Sequence, residues 1–88
     1  MYPAVAVMSN EYYTAQGCAV DGGILYEGVS IDPKQYIYAW DVDAGKCVAK
    51  IPLPLSGYEC EGVTIYDGKM YAVQRSKTML SIYTISLD

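Results

Sequence analysis

Short apolar stretches, broken by glycine, proline and aspartate, follow one another along the whole chain, and nowhere do apolar positions recur at helical spacing. This pattern predicts an all-β protein with little helix. Its clearest strand is Tyr36 to Asp43, where Tyr38, Trp40 and Val42 alternate with Ile37, Ala39 and Asp41. Side chains on an extended chain point to opposite faces in turn, so one face is large and apolar and the other small or mixed. Residues 81–88 repeat the pattern, with Tyr83, Ile85 and Leu87 against Ile82, Thr84 and Ser86. Asp21-Gly22-Gly23 and Asp67-Gly68 predict tight hairpins, because these residues accept the positive φ that such turns require. Strands are therefore expected over 17–20 and 24–29, and again over 62–66 and 69–73. Loops follow at Asp32-Pro33 in the first half and over 74–78 in the second. A further strand over 46–51 should end at Pro52 and Pro54, which cannot donate to a ladder.

The two halves of this pattern are related. Residues 13–43 align with 58–88 without gaps, and seven of the 31 pairs are identical, among them Gly17/Gly62, Gly23/Gly68, Tyr26/Tyr71, Ile37/Ile82 and Tyr38/Tyr83. The offset is 45 residues (58 − 13), within the period of roughly 40 to 50 expected of β-propeller blades. Two four-stranded antiparallel blades follow from it, 13–57 and 58–88, the second lacking its outer strand. Residues 1–12 fall where an outer strand of an adjoining or swapped blade would lie, with Ala4 on Ala49. Propellers close with about four to eight blades, so two need copies of the chain or further blades to complete a ring. The alternative architecture is a small β-sandwich or barrel.

Composition narrows the function. The chain has 88 residues, 52% of them hydrophobic and 18% charged, which fits one small domain and excludes disorder. Ten tyrosines and no phenylalanine suit half-buried strand faces. A net charge of −4 without a basic run argues against nucleic-acid binding, and no apolar run is long enough for a helix to span a bilayer. The start, MYPAVAVMSN, does not read as a signal peptide. Cys18, Cys47 and Cys60 match no zinc spacing and histidine is absent, so no metal or cofactor is expected. As free thiols these cysteines favour a reducing compartment. Asp21, Asp32, Asp41 and Asp43 follow no calcium-loop spacing and read as turn and strand-edge residues. Tyr36, Tyr38 and Trp40 could form a sugar-stacking platform, but their shared face reads better as core between blades.

One pair of positions stands apart. Glu59 and Glu61 are two residues apart and share a face if the strand already begins there. A carboxylate beside a second one can serve as a general acid or base, or both can sit in a solvated loop. The succession TAQGCAVDGGILYEG, DAGKCVAKIPLP and ECEGVTIYDGKMYAV resembles the first blades of the plant- and bacterial-type glutaminyl cyclases, propellers that cyclise N-terminal glutamine. By that resemblance Gln16 stands on a substrate-contacting glutamine and Glu61 on the catalytic glutamate that relays a proton between amine and amide. Thr14 and Glu59 stand where the family has phenylalanine, and Arg75 where it has tryptophan, so the aromatic pocket wall is missing. Teichoic-acid-related and phage receptor-binding propellers share a similar blade pattern. The expectation is a non-enzymatic binding or assembly module with Gln16, Glu59, Glu61 and Arg75 as candidate contacts for a peptide or glycan. The alternative is a cyclase-like aminoacyltransferase, active only in a closed ring, with Glu61 catalytic.

Overall fold

The computed structural model describes residues 14–87; the strand expected within 1–12 lies outside them. Seven strands and no helix make up the described chain: β1 (Thr14–Asp21), β2 (Ile24–Ile31), β3 (Lys34–Asp41), β4 (Lys46–Pro52), β5 (Glu59–Tyr66), β6 (Lys69–Arg75) and β7 (Leu80–Ser86). They form two antiparallel meanders, β1-β2-β3-β4 and β5-β6-β7.

The hairpins follow the turn chemistry. Gly22 and Gly23 have φ of 55° and 79°, and Asp67 and Gly68 have 50° and 74°, positive at both central positions as the right-handed twist of the flanking strands demands. A hydrogen bond then closes each corner: Val42 donates to the Gly23 carbonyl, and Leu87 to the Gly68 carbonyl, both at 3.3 Å. The donors are 45 residues apart, and so are the acceptors. Between β2 and β3 the expected loop is only a two-residue turn at a cis Asp32–Pro33 bond. The ladder runs on through Ser30↔Gln35 and Ile31↔Lys34, so β2 extends beyond the expected 24–29, and β3 begins before the expected Tyr36 and ends at Asp41, short of Asp43. Beyond β3, the Asp41 carboxylate accepts the Ala44 N–H at 3.0 Å, a turn role as expected.

The sheets face each other, with β5 against β1 and β2. Ile37 from the first sheet meets Cys60, Met70 and Ala72 of the second, all fully buried. Tyr26, Ile51, Val63, Ile65, Ile85 and Leu87 close around them. Burying side chains the size of Ile37 and Met70 contributes about 1.5–3 kcal/mol each. The other face of the first sheet holds a second buried cluster, Val29, Tyr38 and Trp40, with Leu25, Ile31, Tyr36 and Cys47 against it. Tyr36–Tyr38 and Tyr38–Trp40 pack as tilted ring pairs with centroids 5.9 and 6.5 Å apart. Tyr38 and Trp40 are thus core, unavailable as a sugar platform.

Two close approaches fix how the sheets meet. Gly17, with φ of 85°, brings β1 so near β5 that a Cβ there would lie 3.5 Å from the Gly62 Cα. Gly28 in β2 faces Cys60, and a Cβ on it would meet the Cys60 Sγ at 2.7 Å and the Gln16 carbonyl oxygen at 2.8 Å.

Candidate functional site

β5 begins at Glu59, and the inward residue Cys60 leaves Glu59 and Glu61 on the outer side of the strand. A β-bulge follows, with the register shifting between Cys60 and Gly62, so Glu61 is the extra residue that has no partner on β6. Glu59 lies opposite Arg75 in the ladder. These three side chains, all exposed, line one cleft of about 330 Å3 together with Gly57, Ser76 and Lys77. The cleft carries two carboxylates, a guanidinium and an ammonium, with no aromatic side chain in its lining.

Three of the four candidate residues therefore come together. Gln16 does not join them in this lining. It lies at the matching bulge of β1, where the register shifts between Ala15 and Cys18, and its carbonyl is turned towards Gly28. Among the described residues no group of three or more histidine, cysteine, aspartate or glutamate side chains is placed to hold a metal ion.

What holds the cleft in shape is a set of residues that the sequence pattern did not single out. The Gln74 side chain is fully buried and grips the segment leading into β5: its Oε1 accepts the Leu55 N–H at 3.2 Å, and its Nε2 donates to the carbonyls of Leu55 (2.8 Å) and Tyr58 (3.2 Å). Gln35, also buried, accepts the Cys60 N–H at 2.8 Å and donates to the Ser30 hydroxyl at 2.8 Å. The turn at Pro33 accepts the Gly57 N–H at 2.7 Å. At the far wall the Ser76 hydroxyl accepts the Met79 N–H at 3.1 Å, and the Ser76 N–H donates to the Met79 carbonyl at 3.0 Å. Buried amides must be paired, and both glutamines are. A signal for them existed. Gln74 continues the inward phase of Met70 and Ala72, and Gln35 that of Ile37 and Ala39, so each is a polar side chain at a core position of a period-two pattern.

Cys60 sits directly behind the acidic pair. Burial pushes its thiol pKa up, the Gly62 N–H bond to the sulfur opposes this, and the charge of Glu61 adds to the rise. Cys18 is exposed and Cys47 half-buried, and all three thiols are free. No helix among the described residues is long and apolar enough to cross a membrane. No protein-family profile and no curated protein matches the sequence.

Proposed function

We propose that the chain is a propeller-type binding or assembly module, whose two sheets act as successive blades of a ring completed by other copies or further sequence. The observation that carries this reading is a contrast between two equivalent isoleucines. Ile37 lies on the face of the first sheet that the second sheet covers, and is 0% exposed. Ile82, 45 positions later on the matching face of the second sheet, is 63% exposed. Leu80 in the same strand, and Tyr66 in β5, are exposed as well. A sheet that offers its neighbour an apolar face and leaves its own equivalent face open is suited to continuing a stack. The meeting of Gly17 and Gly62 supports the same reading, since first strands crowd together where blades converge. The charged cleft lies at the mouth of the second sheet, where a ligand surface would form.

The mass in solution tests this. Native mass spectrometry should find assemblies of several chains, and a 9.7 kDa monomer that unfolds cooperatively would refute the reading. A second reading, the cyclase-like aminoacyltransferase, draws on the shared cleft of Glu59, Glu61 and Arg75. It requires ammonia release from a peptide with N-terminal glutamine, and loss of that release in Glu61→Gln. The absence of aromatic side chains from the lining favours binding over catalysis.

A further inference from the structure

We infer that the charged cleft at the start of β5 receives a compact zwitterion, the α-ammonium and α-carboxylate of a free amino acid. The inference rests on the reading of that cleft as a ligand surface, and names the class of ligand.

Four charged side chains line the cleft: Glu59 and Glu61 from β5, Arg75 at the end of β6, and Lys77 just beyond it. Their formal charges cancel, two negative against two positive. Among the described residues, none of these four side chains is engaged in an ion pair or a hydrogen bond. Glu59 and Arg75 are nevertheless direct partners in the ladder. Facing residues of antiparallel strands lie about 4.5–5.5 Å apart at Cα, close enough for opposite charges to pair. Here both charges stay open to the cleft.

Ser76 adds a directed hydroxyl. Its Oγ accepts the N–H of Thr78 at 3.4 Å and of Met79 at 3.1 Å. Both bonds use the oxygen, and among the described residues the hydroxyl proton has no acceptor. The walls are held from behind, by Gln74 on Leu55 and Tyr58 and by Pro33 on Gly57.

This lining discriminates by charge. A phosphate would meet Arg75 and Lys77 but also two carboxylates, and a cation would meet the reverse. A neutral sugar leaves all four charges unanswered and finds no aromatic face to stack on. A ligand carrying both signs satisfies each wall. Its ammonium belongs against Glu59 and Glu61, and its carboxylate against Arg75, whose planar fork can grip both oxygens. Lys77 and the Ser76 hydroxyl stand beside that carboxylate. Because the opposed charges sit on neighbouring strands, the ligand's own charges should lie on one carbon rather than at the ends of a long chain. A volume of about 330 Å3, at the small end of ligand pockets, agrees with this. A peptide terminus would answer only one of the two walls.

Three probes test this on the full-length protein at low salt: L-alanine, L-alaninamide, which lacks the anion, and N-acetyl-L-alanine, which lacks the cation. Amide chemical shifts of Gly57, Glu61 and Ser76 report binding. L-alanine should saturate with a Kd on the order of a few millimolar, as befits so small a ligand. Each of the other two should bind at least about fivefold more weakly. Glu61→Gln should weaken L-alanine and L-alaninamide by about fivefold and leave N-acetyl-L-alanine unchanged; Arg75→Gln should weaken L-alanine and N-acetyl-L-alanine and leave L-alaninamide unchanged. No binding of L-alanine at about 100 mM would overturn the inference. So would L-alaninamide binding as tightly as L-alanine, which would mark recognition of a peptide amino terminus. Equal weakening of all three probes by both variants would also overturn it, since a merely structural role acts in that way. Mass measured on the same samples separates this inference from the assembly reading. Assemblies that bind no L-alanine overturn the inference alone, and a monomer that binds it overturns the assembly reading alone.

Discussion

Replacing Gly28 by alanine adds a single methyl group at a point where both neighbours are fixed. The new Cβ would stand 2.7 Å from the Cys60 sulfur and 2.8 Å from the Gln16 carbonyl oxygen, with the Gln16 carbonyl carbon at 3.5 Å. The sulfur belongs to a fully buried residue of the core between the sheets. The oxygen is backbone and can move only if β1 moves with it. Overpacking of this kind costs about 1–3 kcal/mol, and two immobile obstacles place Gly28→Ala in the upper part of that range. With a urea m-value of about 1 kcal/mol/M for a chain this small, the midpoint should fall by about 2 M at unchanged slope. Trp40 fluorescence reports the transition, at one protein concentration throughout because assembly would add its own stabilisation. Repeating the substitution in a Cys60→Ala background separates the obstacles. Without the sulfur the cost should drop by about 1 kcal/mol, while the Gln16 contribution remains. A Gly28→Ala chain within about 0.5 kcal/mol of the unaltered protein would refute the packing argument. Equal costs in the two backgrounds would refute the part assigned to Cys60.

Other expectations concern the amides, the thiols and the acidic pair. Gln74→Ala leaves backbone groups of Leu55 and Tyr58 without their partner and should cost about 3 kcal/mol, with amide exchange at Leu55 accelerated first; unchanged exchange there would contradict the assignment. Iodoacetamide should modify exposed Cys18 in the folded protein and reach Cys60 only on unfolding, as read by peptide mass. Below the ordinary thiol pKa the folded and unfolded chains both keep the Cys60 proton, and this group adds no pH dependence. Above it the unfolded chain releases the proton first, so stability should fall as pH rises until the folded thiol ionises too. A Cys60→Ala chain should lack that part of the decline, and an identical pH profile would count against it. If the charged cleft binds rather than transforms its ligand, a peptide with N-terminal glutamine incubated with the assembled protein should release no ammonia above the blank.

The hairpins were legible because their turn residues leave few options: Asp67-Gly68 between two alternating runs permits little but a two-residue turn. The strand ends were less so. Ser30, Asp32, Lys34 and Gln35 are polar and suggested a loop, yet ladder pairing carries them as far as the turn. Pairing is a property of two strands, and one strand's composition does not contain it. For Glu59 and Glu61 the sequence left two alternatives open, a strand face or a loop, and β5 begins at Glu59. The association of the pair with Arg75 depends on the bulge at Glu61 and the register of β5 against β6, which no local pattern states. Gln16 matched Glu61 in sequence and in its bulge, but not in surroundings: its strand is flanked by the second sheet, whereas the outer side of β5 is open.

Six residues join the last strand of one sheet to the first strand of the other, and such a segment would ordinarily be a hinge. Here residues 53–58 are tied from both sides, to Gln74 and to the turn at Pro33, and Leu53 donates to the Gln35 carbonyl at 2.8 Å. The segment behaves mechanically as a strut. Force drawing the sheets apart loads short, directional hydrogen bonds before it loads the apolar contacts, and such bonds yield over a fraction of an ångström rather than gradually. The two sheets are thus joined by the side-chain amides of Gln35 and Gln74 as well as by the core.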